Sequence, residues 1–230
     1  RIDFFDQVRF GRLMMQIAPA VADAARACGV ATRPIVDLQA YRDKLQTFVY
    51  ASGTLMKPIY AVAKRAKRKN VAFAEGEDRR VLRAVQVIVD DGLARPWLVG
   101  RQSVIETRIK KLGLRLQAGR DYEVVNIDDD PRYRDYWMTY HRLTERKGVT
   151  VQLAKIEMRR RLTLISSMLL RRGDVDGVIC GTWGNTQLHL DYIDQVIGKR
   201  EGATCYAAMN ALMLPGRQVF LVDTHINYDP

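Results

Sequence analysis

Cysteine is scarce in this chain of 230 residues. Cys28, Cys180 and Cys205 are an odd number, and no two of them form a Cys-x-x-Cys pair. That excludes a disulfide framework and a cysteine zinc cluster, and it fits a reducing cytoplasm. Histidine is equally scarce, with three residues and none at metal-ligand spacing, so a histidine metal site is not expected. No apolar run reaches the roughly 18 residues that a membrane-spanning helix needs. The opening Arg-Ile-Asp-Phe-Phe-Asp does not read as a charged-then-apolar secretory leader. Neither a Walker lysine loop nor a GxGxxG spacing occurs, and no repeat or low-complexity segment appears.

What the chain has in excess is positive charge. Lys and Arg number 37 against 26 Asp and Glu, a formal net charge of +11. Hydrophobic residues at 47% and charged residues at 27% are ordinary globular values and exclude wholesale disorder. The densest basic cluster, Lys64-Arg65-Ala66-Lys67-Arg68-Lys69, runs straight into the apolar Val71-Ala72-Phe73-Ala74. A nucleic-acid tract is one reading. We favour the other, a helix end whose cations complement the dipole, followed by a buried strand. Basic residues elsewhere are mixed with acids and carry no aromatic RNA-binding pattern. Neither nucleic acid nor a membrane is expected as a partner.

Hydrophobic spacing divides the chain. The first dozen residues show no clear period. From Leu13 the residues Met14, Ile17, Val21, Ala24 and Cys28 fall on one helical face, and Gly29 supplies a stop. Gly29 to Pro34 breaks the helix, and Asp37 caps a second one bearing Leu38, Tyr41, Leu45 and Phe48. After an interruption at Ser52-Gly53, a third helix is expected from Pro58 to about Arg68. The opening segment is thus all helical.

From Asn70 the texture changes to short apolar runs alternating with amphipathic helices. Strands are expected at Val71–Ala74, Pro96–Gly100, Tyr122–Ile127, Val178–Cys180 and Val219–Asp223. Helices lie between them: one capped by Asp78, one over 103–112, one over 132–144, one long helix over 150–171 and one around Asp191–Val196. This predicts an α/β fold, a three-layer α/β/α sandwich with a mostly parallel sheet, preceded by the helical N-terminal segment. The final Asn227-Tyr228-Asp229-Pro230 reads as a turn before another helix, so a longer parent protein is expected.

Two segments sit where an open α/β sheet binds ligands, beyond strand carboxyl ends. The first, Ala74-Glu75-Gly76-Glu77-Asp78-Arg79-Arg80, carries three acids that argue against phosphate and for helix capping by Asp78. The second runs from Asp176 through Cys180-Gly181-Thr182-Trp183-Gly184-Asn185-Thr186. Its glycines, hydroxyls and amide suit a phosphate or carbonyl oxygen, and they suit a structural turn equally well. No catalytic set assembles around it. Ser166 and Ser167 are read as mid-helix packing, Cys180 as a small core residue and His189 as a half-exposed helix residue that no spacing pairs with Ser or Cys.

Phe73-Ala74-Glu75-Gly76-Glu77-Asp78-Arg79-Arg80-Val81-Leu82-Arg83-Ala84 closely resembles the opening of phosphate acetyltransferase domains. Arg146-Lys147-Gly148-Val149-Thr150, Gly173-Asp174-Val175-Asp176-Gly177 and Cys180-Gly181-Thr182 continue that resemblance in order. Upstream, Ile17 to Ala22, Gly29 to Ile35, Tyr41 and Phe48-Val49-Tyr50 are similar to the C-terminal helices of malic enzymes. That order resembles the multimodular NADP-dependent malic enzymes of bacteria, in which a transferase-like domain follows the catalytic one.

The resemblance implies residues 1–55 as the end of a malic enzyme part and 56–230 as the first portion of a transferase-like domain. It implies a regulatory, oligomer-forming region with acetyl-CoA as effector. NADP and a divalent metal, magnesium or manganese, would belong to a malic enzyme domain outside this chain. Arg146, Lys147, Gly181, Thr182, Asn185 and Thr186 become the candidate effector contacts, with no catalytic or metal-binding residue among them. Two departures weigh against the alternative, an active phosphate acetyltransferase. Thr144-Glu145 stands where active members carry a basic pair, and Asp191 stands near the place of their arginine. A homo-oligomer is expected, with Met14, Ile17 and Val21 as the first-choice interface.

Overall fold

Alternate side chains along the short apolar runs point to opposite faces, and that alternation builds two cores. The structure, a computed structural model, describes residues 4–33, 35–49, 53–214, 217–224 and 226–227. The breaks expected at Pro34 and Ser52 and the turn at Tyr228-Asp229-Pro230 lie outside them. Contacts divide the chain into two compact units, Arg1–Val62 with Asn210–Leu221 and Ala63–Met209 with Val222–Pro230.

In the second unit, β1 (Lys69–Phe73), β2 (Ala94–Val99), β3 (Glu123–Val125) and β4 (Gly177–Ile179) form one sheet in the order β3-β2-β1-β4, every pairing parallel. The register places Phe73 beside Leu98 and Ile179. Phe73 and Leu98 face one core with α4 (Arg79–Asp90) and α5 (Gln102–Lys111), through Leu82, Val85, Ile105 and Ile109. Ala72, Val99 and Val125 face the other, which is covered by α6 (Tyr133–Thr144), α7 (Val151–Arg160), α8 (Leu162–Arg172) and α9 (Thr186–Val196). Each fully buried Leu or Val there contributes roughly 1.5–3 kcal/mol relative to exposure. The three-layer arrangement with its parallel sheet is as expected.

Asp176 ties the entrance of the sheet. Its carboxylate accepts the Asn70 N–H at 2.8 Å and pairs with Lys69 at 3.0 Å. The basic cluster is accordingly a helix end, a short connection and a strand start. The single helix expected over 150–171 is two, broken at Arg161, whose φ of −104° and ψ of 96° are extended. No proline or glycine marks that break. Arg161 instead caps α7 through its backbone, pairs with Glu157 and lies over the Tyr192 ring, so tertiary contacts select the bend.

The first unit holds α1 (Phe4–Ala27) and α2 (Leu38–Val49), which pack on each other, and α3 (Gly53–Arg65) begins in it. The helical opening is as predicted, although α1 starts well before Leu13. Pro58 lies inside α3 and not at its first turn. The helix begins five residues earlier and forgoes the bond that a residue-58 N–H would give to the carbonyl four back. Ile17 and Val21 are exposed on α1, while the side chain of Met14 lies outside the description.

One strand is corrected. The run Val219–Asp223 was expected in the buried parallel sheet, but β6 (Arg217–Val222) pairs with β5 (Met209–Leu214) in a separate two-stranded sheet. Phe220 is 53% and Val222 69% exposed. A short apolar run reads alike in a buried sheet and on an uncovered one, and the partner β5 carries no strand signal that the periodicity had picked out.

Candidate functional site

After β1 the chain crosses to α4 on one face of the sheet, and after β4 it crosses to α9 on the other. The two loops part at neighbouring parallel strands, and such a reversal opens a crevice at the strand carboxyl ends. Glu75 to Asp78 form one wall and Gly181 to Asn185 the other.

The first loop is fixed from behind. A Cβ on Gly76 would lie 2.8 Å from the Val99 carbonyl oxygen, so only glycine lets the backbone lie against β2. The Glu77 carboxylate accepts the Arg101 backbone N–H, Nε and Nη2, each at 2.9 Å, and Arg108 donates to the Glu77 carbonyl. Those Arg101 bonds hold the Glu77 carboxyl below its usual range despite partial burial. Asp78 is the N-cap of α4, accepting the Arg80 N–H at 2.7 Å, as the sequence predicts. Burial works against its charge, but the Arg80 hydrogen bonds outweigh it and lower the Asp78 pKa.

The second loop is clamped by the first. Glu75, 4% exposed, accepts the Gly181 N–H at 3.0 Å and the Thr182 hydroxyl at 3.4 Å. Arg80 donates to the Thr182 carbonyl at 3.1 Å, and the Trp183 Nε1–H donates to Asp78 at 3.0 Å. His189 closes the far side, with Nε2 at 2.6 Å from the Trp183 carbonyl and Nδ1 at 2.7 Å from the Thr163 hydroxyl. A carbonyl oxygen only accepts, so Nε2 carries the proton and, in the neutral ring, Nδ1 accepts from Thr163. Gly184, at φ +93°, has no Cβ to crowd His189 Nε2, which would stand 3.2 Å away.

The sequence-predicted residues fall in two places. Gly181, Thr182, Asn185 and Thr186 share the clamped loop. The Asn185 side-chain oxygen caps α9 by accepting the Leu188 N–H at 2.9 Å, and Thr186 opens that helix. Arg146 and Lys147 lie in a short 3-10 turn, Glu145–Lys147, after α6. Both are exposed, make no ion pair among the described residues, and are not hydrogen-bonded to the loop. His189 is a half-buried residue of α9 with no Ser or Cys partner among the described residues, and its ring braces Trp183. Thr163, its partner, lies 26 residues away in sequence, which no local pattern reveals.

Sequence reasoning also missed a cleft of about 250 Å³ beside the loop, lined by Glu75, Trp183, His189, Tyr192, Arg160 and Arg161 among others. Asp191 faces a separate cavity of about 350 Å³ with Asp194, Lys199 and Tyr206, and accepts a bond from Gln187. Neither Cys180 nor Ser166 is an activated nucleophile. Burial, reinforced by the Glu75 charge, pushes the Cys180 thiol up, and Ser166 donates to the Leu162 carbonyl. Among the described residues no group of acids, cysteines or histidines can hold a metal ion, and no helix is long and apolar enough to cross a membrane.

A βαβ sheet of this order, with paired loops at the reversal, is the fold of the phosphotransacetylases. The crystal structure of a phosphotransacetylase from Streptococcus pyogenes superposes with a TM-score of 0.66 at 23% identity, over 77% of this chain and 53% of that one. The family model described as phosphate acetyl/butaryl transferase matches residues 54–230, and the chain belongs to that family. It is also 47% identical over 226 residues to an NAD-dependent malic enzyme of Rhizobium meliloti, covering 98% of this chain. It is 48% identical over 219 residues to an NADP-dependent malic enzyme of Haemophilus influenzae, covering 95%. The chain spans 29% of the length of each of those malic enzymes, and it corresponds to the C-terminal region of the NADP-dependent ones.

Proposed function

We propose that this chain is the regulatory, acetyl-CoA-binding and oligomer-forming transferase-like portion of a cytoplasmic malic enzyme, whose parent reaction is the oxidative decarboxylation of malate to pyruvate. The observation that carries the reading is identity near one half to malic enzymes along almost the whole chain. The closed state of the crevice supports a binding role over a catalytic one. An oxyanion needs preorganised donors aimed at it, and the Gly181 amide and Thr182 hydroxyl are engaged by a carboxylate of the chain itself.

Acetyl-CoA fits what remains. Arg146 and Lys147 are exposed, unpaired cations suited to its phosphates, while the Asn185 amide group and the Thr186 hydroxyl sit at the mouth of the loop for the pantetheine or acyl part. NADP and a magnesium or manganese ion belong to the malic enzyme part in this reading. An NAD-dependent relative is as similar here as the NADP-dependent ones, which supports placing dinucleotide selection elsewhere in the protein. The exposed Ile17 and Val21 of α1 are the proposed surface of homo-oligomer contact.

Calorimetric titration of acetyl-CoA into the full-length protein tests the reading. Arg146→Ala should weaken binding by roughly fivefold, about 1 kcal/mol for one charged contact; unchanged affinity removes Arg146 from the site. Acetyl phosphate formation that disappears on mutating Thr182 or Asn185 would establish the transferase alternative instead.

A further inference from the structure

The cleft beside the clamped loop has a composition that the loop alone does not explain. Trp183 stands 68% exposed at the mouth of a crevice, an unusual position for the largest apolar side chain. It is also held still. Its indole N–H is bound by Asp78, its carbonyl by His189, and the flanking Thr182 carbonyl by Arg80. An exposed aromatic ring tethered through its N–H, on a backbone held at two further points, keeps a flat face ready with less conformational entropy left to lose on binding.

The rest of the cleft completes a pattern. Leu162, Leu188 and Tyr192 line it with apolar and aromatic surface. Arg161 is turned over the Tyr192 ring and paired with Glu157, whereas Arg160, beside it, is exposed and has no ion-pair partner among the described residues. Both arginines stand at the break between α7 and α8 and line the cleft. A volume of about 250 Å³ accommodates a fused two-ring heterocycle.

We infer that this cleft is an adenosine-phosphate subsite, in which the purine stacks on Trp183 and Arg160 meets a phosphate. The inference rests on the proposed effector-binding reading and deepens it by naming the end of the ligand that is read here. Two cellular ligands share the chemistry, the adenosine 3′-phosphate 5′-diphosphate end of a coenzyme A thioester and the adenosine end of a nicotinamide dinucleotide. The test separates them.

Titrations of the full-length protein with 3′,5′-ADP, 2′,5′-ADP, 5′-AMP and adenosine supply the arms. Stacking a base on an aromatic side chain is worth about a tenfold or greater change in affinity. Trp183→Ala should therefore weaken all four ligands by roughly tenfold, and Trp183→Phe, which keeps a ring, should restore most of the loss. Arg160→Ala should weaken the three phosphates severalfold and leave adenosine unchanged, a split that general damage to the fold would not produce. Preference for 3′,5′-ADP identifies the coenzyme A source, and preference for 2′,5′-ADP or 5′-AMP the dinucleotide source. Trp183→Ala binding 3′,5′-ADP as tightly as the parent, or acetyl-CoA binding that no adenosine phosphate competes, overturns the subsite while leaving the acetyl-CoA reading in place. Adenosine phosphates binding through Trp183 with no acetyl-CoA binding supports the subsite and removes the acetyl-CoA reading.

Discussion

Asp78 joins three interactions in one carboxylate, and replacing it separates them. Its first role is the N-cap of α4, where loss to alanine costs about 1 kcal/mol. Its second is the bond from the Trp183 indole, worth roughly 0.5–1 kcal/mol because the ring is mostly exposed and water replaces part of it. Its third is the ion pair with Arg80, whose exposed guanidinium leaves the pair largely screened by solvent. Asp78→Ala should therefore destabilise by about 2 kcal/mol, lowering the unfolding midpoint by roughly 4–8 °C for a domain of this size. Asp78→Asn keeps a side-chain oxygen for the Arg80 N–H and loses only the other two, so about half that shift is expected. Thermal unfolding of both variants, alone and combined with Trp183→Phe, provides the assay. In the combined Asp78→Asn, Trp183→Phe protein the two losses overlap and should fall short of additivity. Equal damage from alanine and asparagine would refute the capping role, and full additivity would refute the clamp between the loops.

Two other perturbations probe the frame. Gly76→Ala should cost about 2–3 kcal/mol by forcing a methyl group against the Val99 carbonyl, whereas Gly177→Ala, with open space around its Cβ, should stay within about 0.5 kcal/mol in a urea titration. The Glu77 carboxyl is held below its ordinary value of 4.5 by Arg101, so its contribution is complete above that pH and is lost as pH falls through the lowered value. The urea midpoint should drop in acid, and Glu77→Gln should flatten that drop; an identical acid profile in the variant would remove the Glu77–Arg101 link as its cause.

Elements with strong local signals were legible. The helix of Val81, Leu82 and Val85 needed only its periodicity and the Asp78 cap, and β1 needed only a short apolar run after a basic helix end. The break at Arg161 was not legible, because the contacts of Arg161 with Glu157 and Tyr192 decide it and two of those residues lie on different helices. The site divides along the same line. Gly181, Thr182, Asn185 and Thr186 could be chosen from one loop of glycines and polar side chains. Their principal partner, Glu75, lies 106 residues from Gly181, and only the parallel pairing of β1 with β4 brings the two together. The acids near Asp78 suggest capping when read in sequence, but their second role, binding the opposite loop, needs the sheet order.

That second role changes what the crevice can do. In an open α/β sheet, backbone N–H groups beyond the strand ends are a natural seat for an anion. Here the anion at the Gly181 amide is the chain's own Glu75, held with the Thr182 hydroxyl and nearly buried. A second negative group brought to the same amide would meet an occupied donor and a like charge. In the proposed reading anions are met further out, at exposed cations without an ion-pair partner among the described residues, Arg146 and Lys147 on one turn and Arg160 on another. The same clamping leaves the loop stiff, because each of its three residues from Gly181 to Trp183 is bonded to a side chain outside it. On the proposed reading, a stiff loop with its amide engaged is poorly suited to stabilising charge that appears only in a transition state, and suited to presenting one fixed face, that of Trp183, to a ligand that stays unchanged.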